Sequence, residues 1–120
     1  MKKTTILLDF ARLKLDAEDR VQESYHGMYD GKEAYLVLSK KKLLFINEKG
    51  FFNKKWNVVK EIPYDKIVEV IVEASHRLSI SDVKNKKSYF ASLKEEAQII
   101  EKLIEELAES ITVKLVAGIA

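Results

Sequence analysis

The chain has no cysteine, one proline, four glycines and two histidines among its 120 residues. Without cysteine there are no disulfides, no thiolate metal centres and no cysteine nucleophile, and a reducing compartment is allowed. Four glycines leave little material for a phosphate-cradling loop, and no such motif occurs. His26 and His76 are the only imidazoles, each in a strand-like context without metal-ligand spacing. Ser75 precedes His76, but a catalytic dyad needs spatial convergence and an oxyanion hole, which adjacency does not supply. Long hydrophobic runs are missing too: no stretch approaches the roughly 18 uninterrupted apolar residues of a spanning helix. The start, "MKKTTILLDFARLKL", places two lysines before Ile6, Leu7 and Leu8. Asp9, Arg12 and Lys14 then interrupt the apolar region, and no small-residue cleavage site follows. We therefore expect a cytoplasmic, non-catalytic protein without cofactor or metal.

What is present describes one globular domain. Hydrophobic residues make up 47% and charged residues 33% of the chain, enough for a single core and too apolar for disorder. The net charge of +2 is too small to imply nucleic acid. Its distribution is uneven. Residues 32–66 carry nine lysines against three Glu and one Asp, whereas residues 92–110 carry six Glu against two lysines. Such polarity could orient a partner, or reflect a solvated helix beside solvated loops.

In residues 4–15, Ile6, Phe10 and Leu13 recur at i, i+4 and i+7 beside Leu7 and Ala11, which predicts a short amphipathic helix. Strands are expected over residues 20–91. The first closes at the turn dipeptide Asp30-Gly31. Two apolar runs, Tyr35–Leu38 and Leu43–Ile46, then flank Ser39-Lys40-Lys41-Lys42 and read as a tight hairpin. Hydrated lysines in that turn discourage edge-to-edge pairing. Another strand runs through Trp56 and Val58 to Ile62, where Pro63 suits a strand boundary. From Ile67 the alternation assigns Val68, Val70, Val72 and Ala74 to the core, and Ile67, Glu69, Ile71 and Glu73 to the other face. Leu78 and Ile80 continue the pattern, a hairpin forms at Asn85, and Tyr89-Phe90-Ala91 ends the strands.

The period then changes. Ser92 and Glu95 have capping-box spacing. Leu93, Ala97, Ile100, Ile104, Leu107 and Ile111 step by four and three along an amphipathic helix over 92–110. The apolar tail, 111–120, extends this helix or packs as a strand.

About seven short strands closed by one long helix is an α+β layout, and residues 20–108 resemble the bacterial PH and GRAM group of the PH-like superfold. "YLVLSKKKLLFIN" resembles that group's strand-turn-strand with a basic turn, and "EIPYDKIVEV" its Ile-Pro element leading into an alternating strand. Phe90 takes the place of the closing aromatic. The resemblance implies a PH-like barrel of antiparallel strands in two near-orthogonal sheets, capped by the C-terminal helix. The N-terminal helix and apolar tail lie outside it. PH-like domains bind phosphoinositides, peptides or other proteins, and the fold does not choose among them. Lipid-binding PH members carry spaced basic residues across their first hairpin. Here "HGMYDGKEAYLVLS" has Lys32 alone, which counts against specific inositol-phosphate recognition.

Two surfaces are candidates for contact. "GFFNKKWN" interleaves Phe51, Phe52 and Trp56 with Lys54 and Lys55; with Lys40, Lys41 and Lys42 it would suit an anionic membrane. Base stacking is disfavoured because the C-terminal helix is acidic. A plainer alternative is that these aromatics cover the barrel. The second surface is Ile99, Leu103, Ile111, Val113 and Leu115, for self-association. The N-terminal helix offers the tail a competing, intramolecular partner. The expected partner is a protein or a second copy of the chain, with weak membrane contact as the alternative.

Overall fold

The computed structural model describes the backbone of residues 3–50 and 54–119 and the side chains of 5–50 and 54–110. The elements are α1 (Lys3–Leu13), β1 (Val21–Tyr29), β2 (Lys32–Ser39), β3 (Lys42–Lys49), β4 (Lys55–Pro63), a 3-10 turn (Tyr64–Lys66), β5 (Ile67–Ala74), β6 (Arg77–Asp82), β7 (Lys87–Ser92) and α2 (Ala97–Ile119). Every strand neighbour is antiparallel, in the order β4-β3-β2-β1-β7-β6-β5. The expected seven strands and two helices are all present. Where two near-orthogonal sheets were expected, hydrogen bonding is continuous through the β1–β7 pair, so the strands form one sheet that wraps a core.

Turn chemistry sets the hairpins. Asp30 and Gly31 both have positive φ (53° and 75°), the conformation whose twist matches a two-residue hairpin. Gly27 has a different role. It pairs with Ala34 on β2 and with Ser92 on β7, at the point where β1 joins the two halves of the sheet.

The unbroken apolar runs of β2 and β3 are explained by burial on both faces. Leu36, Leu38, Leu43 and Phe45 point into the main core with Phe90, Leu78 and Ile80. Tyr35, Val37, Leu44 and Ile46 form a second cluster on the outer face, under Leu7 and Ala11 of α1. The docked stripe of α1 is therefore shifted within the predicted face: Phe10 packs on this cluster, but the stripe centres on Leu7 and Ala11. Leu7 and Ala11 are fully buried, whereas Ile6 and Leu13 are 42% and 83% exposed. Neighbouring stripes differ by one residue, about 100° of rotation, and both are apolar here.

The β5 register shows a second correction. Ile67 pairs with Asp82 and Glu69 with Ser81, so Val68 is the extra residue of a bulge. The bulge exchanges the faces of its neighbours: Ile67 packs on the core, and Val68 is 67% exposed. Val70 and Val72 face the core as predicted. Val70→Asp should thus cost about 3 kcal/mol by burying an unpaired carboxylate, and Val68→Asp under about 0.5 kcal/mol. Equal shifts of the urea midpoint in the two variants would reject this register.

The C-terminal helix begins later than the capping-box spacing predicts. Ser92 is the last residue of β7: its N–H donates to His76 O at 2.7 Å, and its hydroxyl lies against the carbonyls of His76 and Lys94. Pairing with Gly27 of β1 and the bond to His76 claim this serine, and α2 starts at Ala97, whose N–H donates to Ser75 O at 3.1 Å. The helix packs against β5, β6 and the 3-10 turn, with Ala97, Ile100 and Ile104 buried. Leu103, Leu107 and Ala108 pack partly buried beside them. The apolar tail is helical and continues α2 to Ile119. No helix among the described residues is long and apolar enough to cross a membrane.

Candidate interaction surfaces

The basic β2–β3 turn is held by a buried polar node. Asp19, in the α1–β1 loop, is 4% exposed. Its Oδ1 accepts the N–H groups of Arg20 (2.8 Å) and Lys40 (2.9 Å), and its Oδ2 lies 2.8 Å from Ser39 Oγ. That same Ser39 oxygen accepts from the N–H of Lys42 at 3.1 Å, and the Tyr64 hydroxyl donates to Ser39 O at 2.6 Å. Burial, then the charge of Asp19, pushes the Tyr64 phenol far above its usual range. Burial likewise pushes Tyr25 up to about 12, helped by Glu23 and Glu96. Because of this node, a turn of three successive lysines has one fixed backbone geometry.

The lysines themselves are partly neutralised. Lys41 Nζ lies 3.8 Å from Asp16, and Lys42 Nζ 3.4 Å from Glu61. Lys40 is exposed. Lys54 and Lys55 lie at the opposite end of β3. Register pairs Lys42 with Pro63 and Lys49 with Lys55, so the two basic groups stand seven residues, about 23 Å, apart along β3. They do not form one face. Lys54 and Lys55 are exposed. Trp56 packs against the cluster beneath α1, edge-on to Tyr35 at 5.8 Å between ring centroids. Phe51 and Phe52 lie outside the described residues.

The predicted self-association set also divides. Leu103 packs on the core, whereas Ile99 is 59% exposed. The side chains of Ile111, Val113 and Leu115 lie outside the described residues, although the α2 backbone carries them. α1 does not take up the tail through its buried stripe, because Leu7 and Ala11 are occupied on the outer face of β2 and β3.

The two histidines have no common site in view. His26 stacks on Tyr35 at 4.3 Å, with Nε2 3.4 Å from Glu33 Oε2. His76 is exposed in the β5–β6 turn. Among the described residues, no three His, Asp or Glu side chains gather where they could hold a metal.

Sequence reasoning missed Asp16 and Asp19 as partners of the basic turn. Their only signal was a polar break after the first helix, and nothing local linked it to lysines some twenty positions away.

No family model and no curated protein matches the sequence. Solved structures do match in shape. A pleckstrin homology domain from Shewanella amazonensis is 22% identical, with a TM-score of 0.64, covering 89% of this chain and 89% of that one. A protein with a pleckstrin-homology domain from Shewanella loihica is 18% identical, with a TM-score of 0.63, covering 90% and 99%. The C-terminal domain of an unknown protein from Leishmania infantum is 16% identical, with a TM-score of 0.60, covering 88% and 96%. The chain has a PH-like α+β fold.

Proposed function

We propose that this PH-like domain is a non-catalytic binding module whose partner is a protein, in the first instance a second copy of the chain. The observation that carries the reading is the length of α2. Among the described side chains Ala108 is the last that packs on the core, and the helix backbone runs on to Ile119. Eleven further residues add about 16 Å, and an isolated helix of that length is marginal in water. Ile111, Val113, Leu115, Val116 and Ile119 make the extension apolar, so a partner surface would stabilise it. A two-fold pairing of α2 with its equivalent satisfies both copies at once. The two lysine groups lie at opposite ends of β3, which disfavours a single anionic-membrane face built from both.

Light scattering on the intact chain and on a chain ending at Ser110 tests this. We expect a dimer that becomes a folded monomer on truncation. A monodisperse, folded monomer of the intact chain at tens of micromolar would reject it.

A further inference from the structure

β4 and β5 are the two edges of the sheet and share no backbone ladder. Side chains cross this seam instead. Lys60 stands opposite Phe45 on β3, and its Nζ donates to Ser88 Oγ of β7 at 2.8 Å and lies 3.6 Å from Asp82 Oδ2 of β6. Beside this bridge opens a cleft of about 420 Å³, with Ile62, Pro63 and Val83 as its apolar wall. Its lining holds four lysines, at positions 60, 66, 84 and 86, against Glu61 and Asp82.

Both carboxylates are already engaged. Asp82 Oδ1 accepts the N–H groups of Lys84 (2.9 Å) and Lys86 (3.1 Å), and its other oxygen faces Lys60. Glu61 lies 3.4 Å from Lys42. The ammonium groups of Lys66, Lys84 and Lys86 are exposed and form no ion pair among the described residues. The backbone that carries them is fixed. Lys66 O accepts the Val83 N–H at 2.9 Å, tying the 3-10 turn to the β6–β7 turn. Asp82 clamps that second turn around Asn85, whose φ is 62°. Three uncompensated cations on a preset frame concentrate positive potential at one concave point.

We propose that this seam cleft binds a phosphate-bearing polyanion, with Lys66, Lys84 and Lys86 on the phosphate oxygens and Lys60 at the base. Lysines act here as point charges, so the site reads charge density more than shape. A polyphosphorylated solute and a lipid phosphate monoester share this chemistry. The site is independent of α2, and its occupancy does not require the chain to be dimeric.

The test is calorimetric titration of the intact chain with sodium tripolyphosphate, mapped by backbone amide shifts. We expect saturable binding, shifts at Lys66 and over residues 83–86, and roughly tenfold or greater weakening by Lys84→Gln with Lys86→Gln. Lys14→Gln with Lys32→Gln removes equal charge elsewhere and should leave binding intact. Absence of saturable binding, or equal weakening by the two double variants, would overturn the site, the second outcome showing diffuse attraction only. Sedimentation with phosphatidylcholine vesicles carrying phosphatidic acid separates the sources. Pelleting that depends on Lys84 and Lys86 assigns the phosphate to lipid; tripolyphosphate binding without pelleting assigns it to a solute.

Discussion

Gly27→Ala is expected to cost about 3 kcal/mol or more, or to prevent folding. A Cβ built there would lie 2.1 Å from Ala91 O, and 2.8 Å from both Phe90 Cζ and Ser92 Cα. Two of those atoms are backbone, and Phe90 is fully buried, so nothing can step aside without separating β1 from β7. Gly31 is the control. Its φ of 75° strains an alanine, but no atom lies within 4 Å of the added carbon. That loss should be nearer 1 kcal/mol. Urea denaturation of both variants decides the matter: similar midpoints would mean that close approach at the β1–β7 junction is not what requires glycine.

Asp19→Ala should cost about 1–3 kcal/mol at neutral pH, because it takes the carboxylate acceptor from the Arg20 N–H, while the Lys40 N–H keeps only Arg20 O and the Ser39 hydroxyl only Lys42 O. It should also change the response to alkali. The Tyr64 phenol keeps its proton in the folded protein at pH values where the unfolded chain, with a pKa of 10.0, has lost it. Folded-state stability is therefore whole below about pH 10 and declines as pH rises above it. Part of the upward shift comes from the Asp19 charge, so the variant should start lower at pH 7 and decline less steeply. A parallel decline in both proteins, followed by urea midpoints from pH 8 to 11, would remove Asp19 from the phenol's environment.

The fold was legible wherever one local signal had no competitor. Asp30-Gly31, the paired apolar runs of β2 and β3, and the four-and-three spacing from Ala97 to Leu107 each admit one structure, and that structure forms. Errors arose where two local readings had equal merit. Adjacent apolar stripes on α1 left its orientation open, and only the sheet beneath selected Leu7 and Ala11. The Val68 bulge is invisible to alternation, since Ile67 and Val68 are equally apolar. Ser92 met a capping rule and a strand pairing at once, and the strand won. The interaction surfaces were less legible for a related reason. Lysine clusters adjacent in sequence lie at opposite ends of one hairpin, whereas Lys66 and Lys84, distant in sequence, line one cleft.

Double coverage of β2 and β3 also bears on the order in which the chain assembles. Only Lys40 and Lys41 separate these strands, so closing the hairpin costs little chain entropy. Both of its faces are apolar, so it offers a nucleation surface to the barrel interior on one side and to α1 on the other. The β1–β7 junction, by contrast, joins residues more than sixty positions apart and must wait for a long loop to close. Folding of the β1–β4 half should therefore precede closure by β5–β7. Mutations at Leu36 or Phe45 would then slow folding, while those at Leu78 or Ile80 would chiefly hasten unfolding.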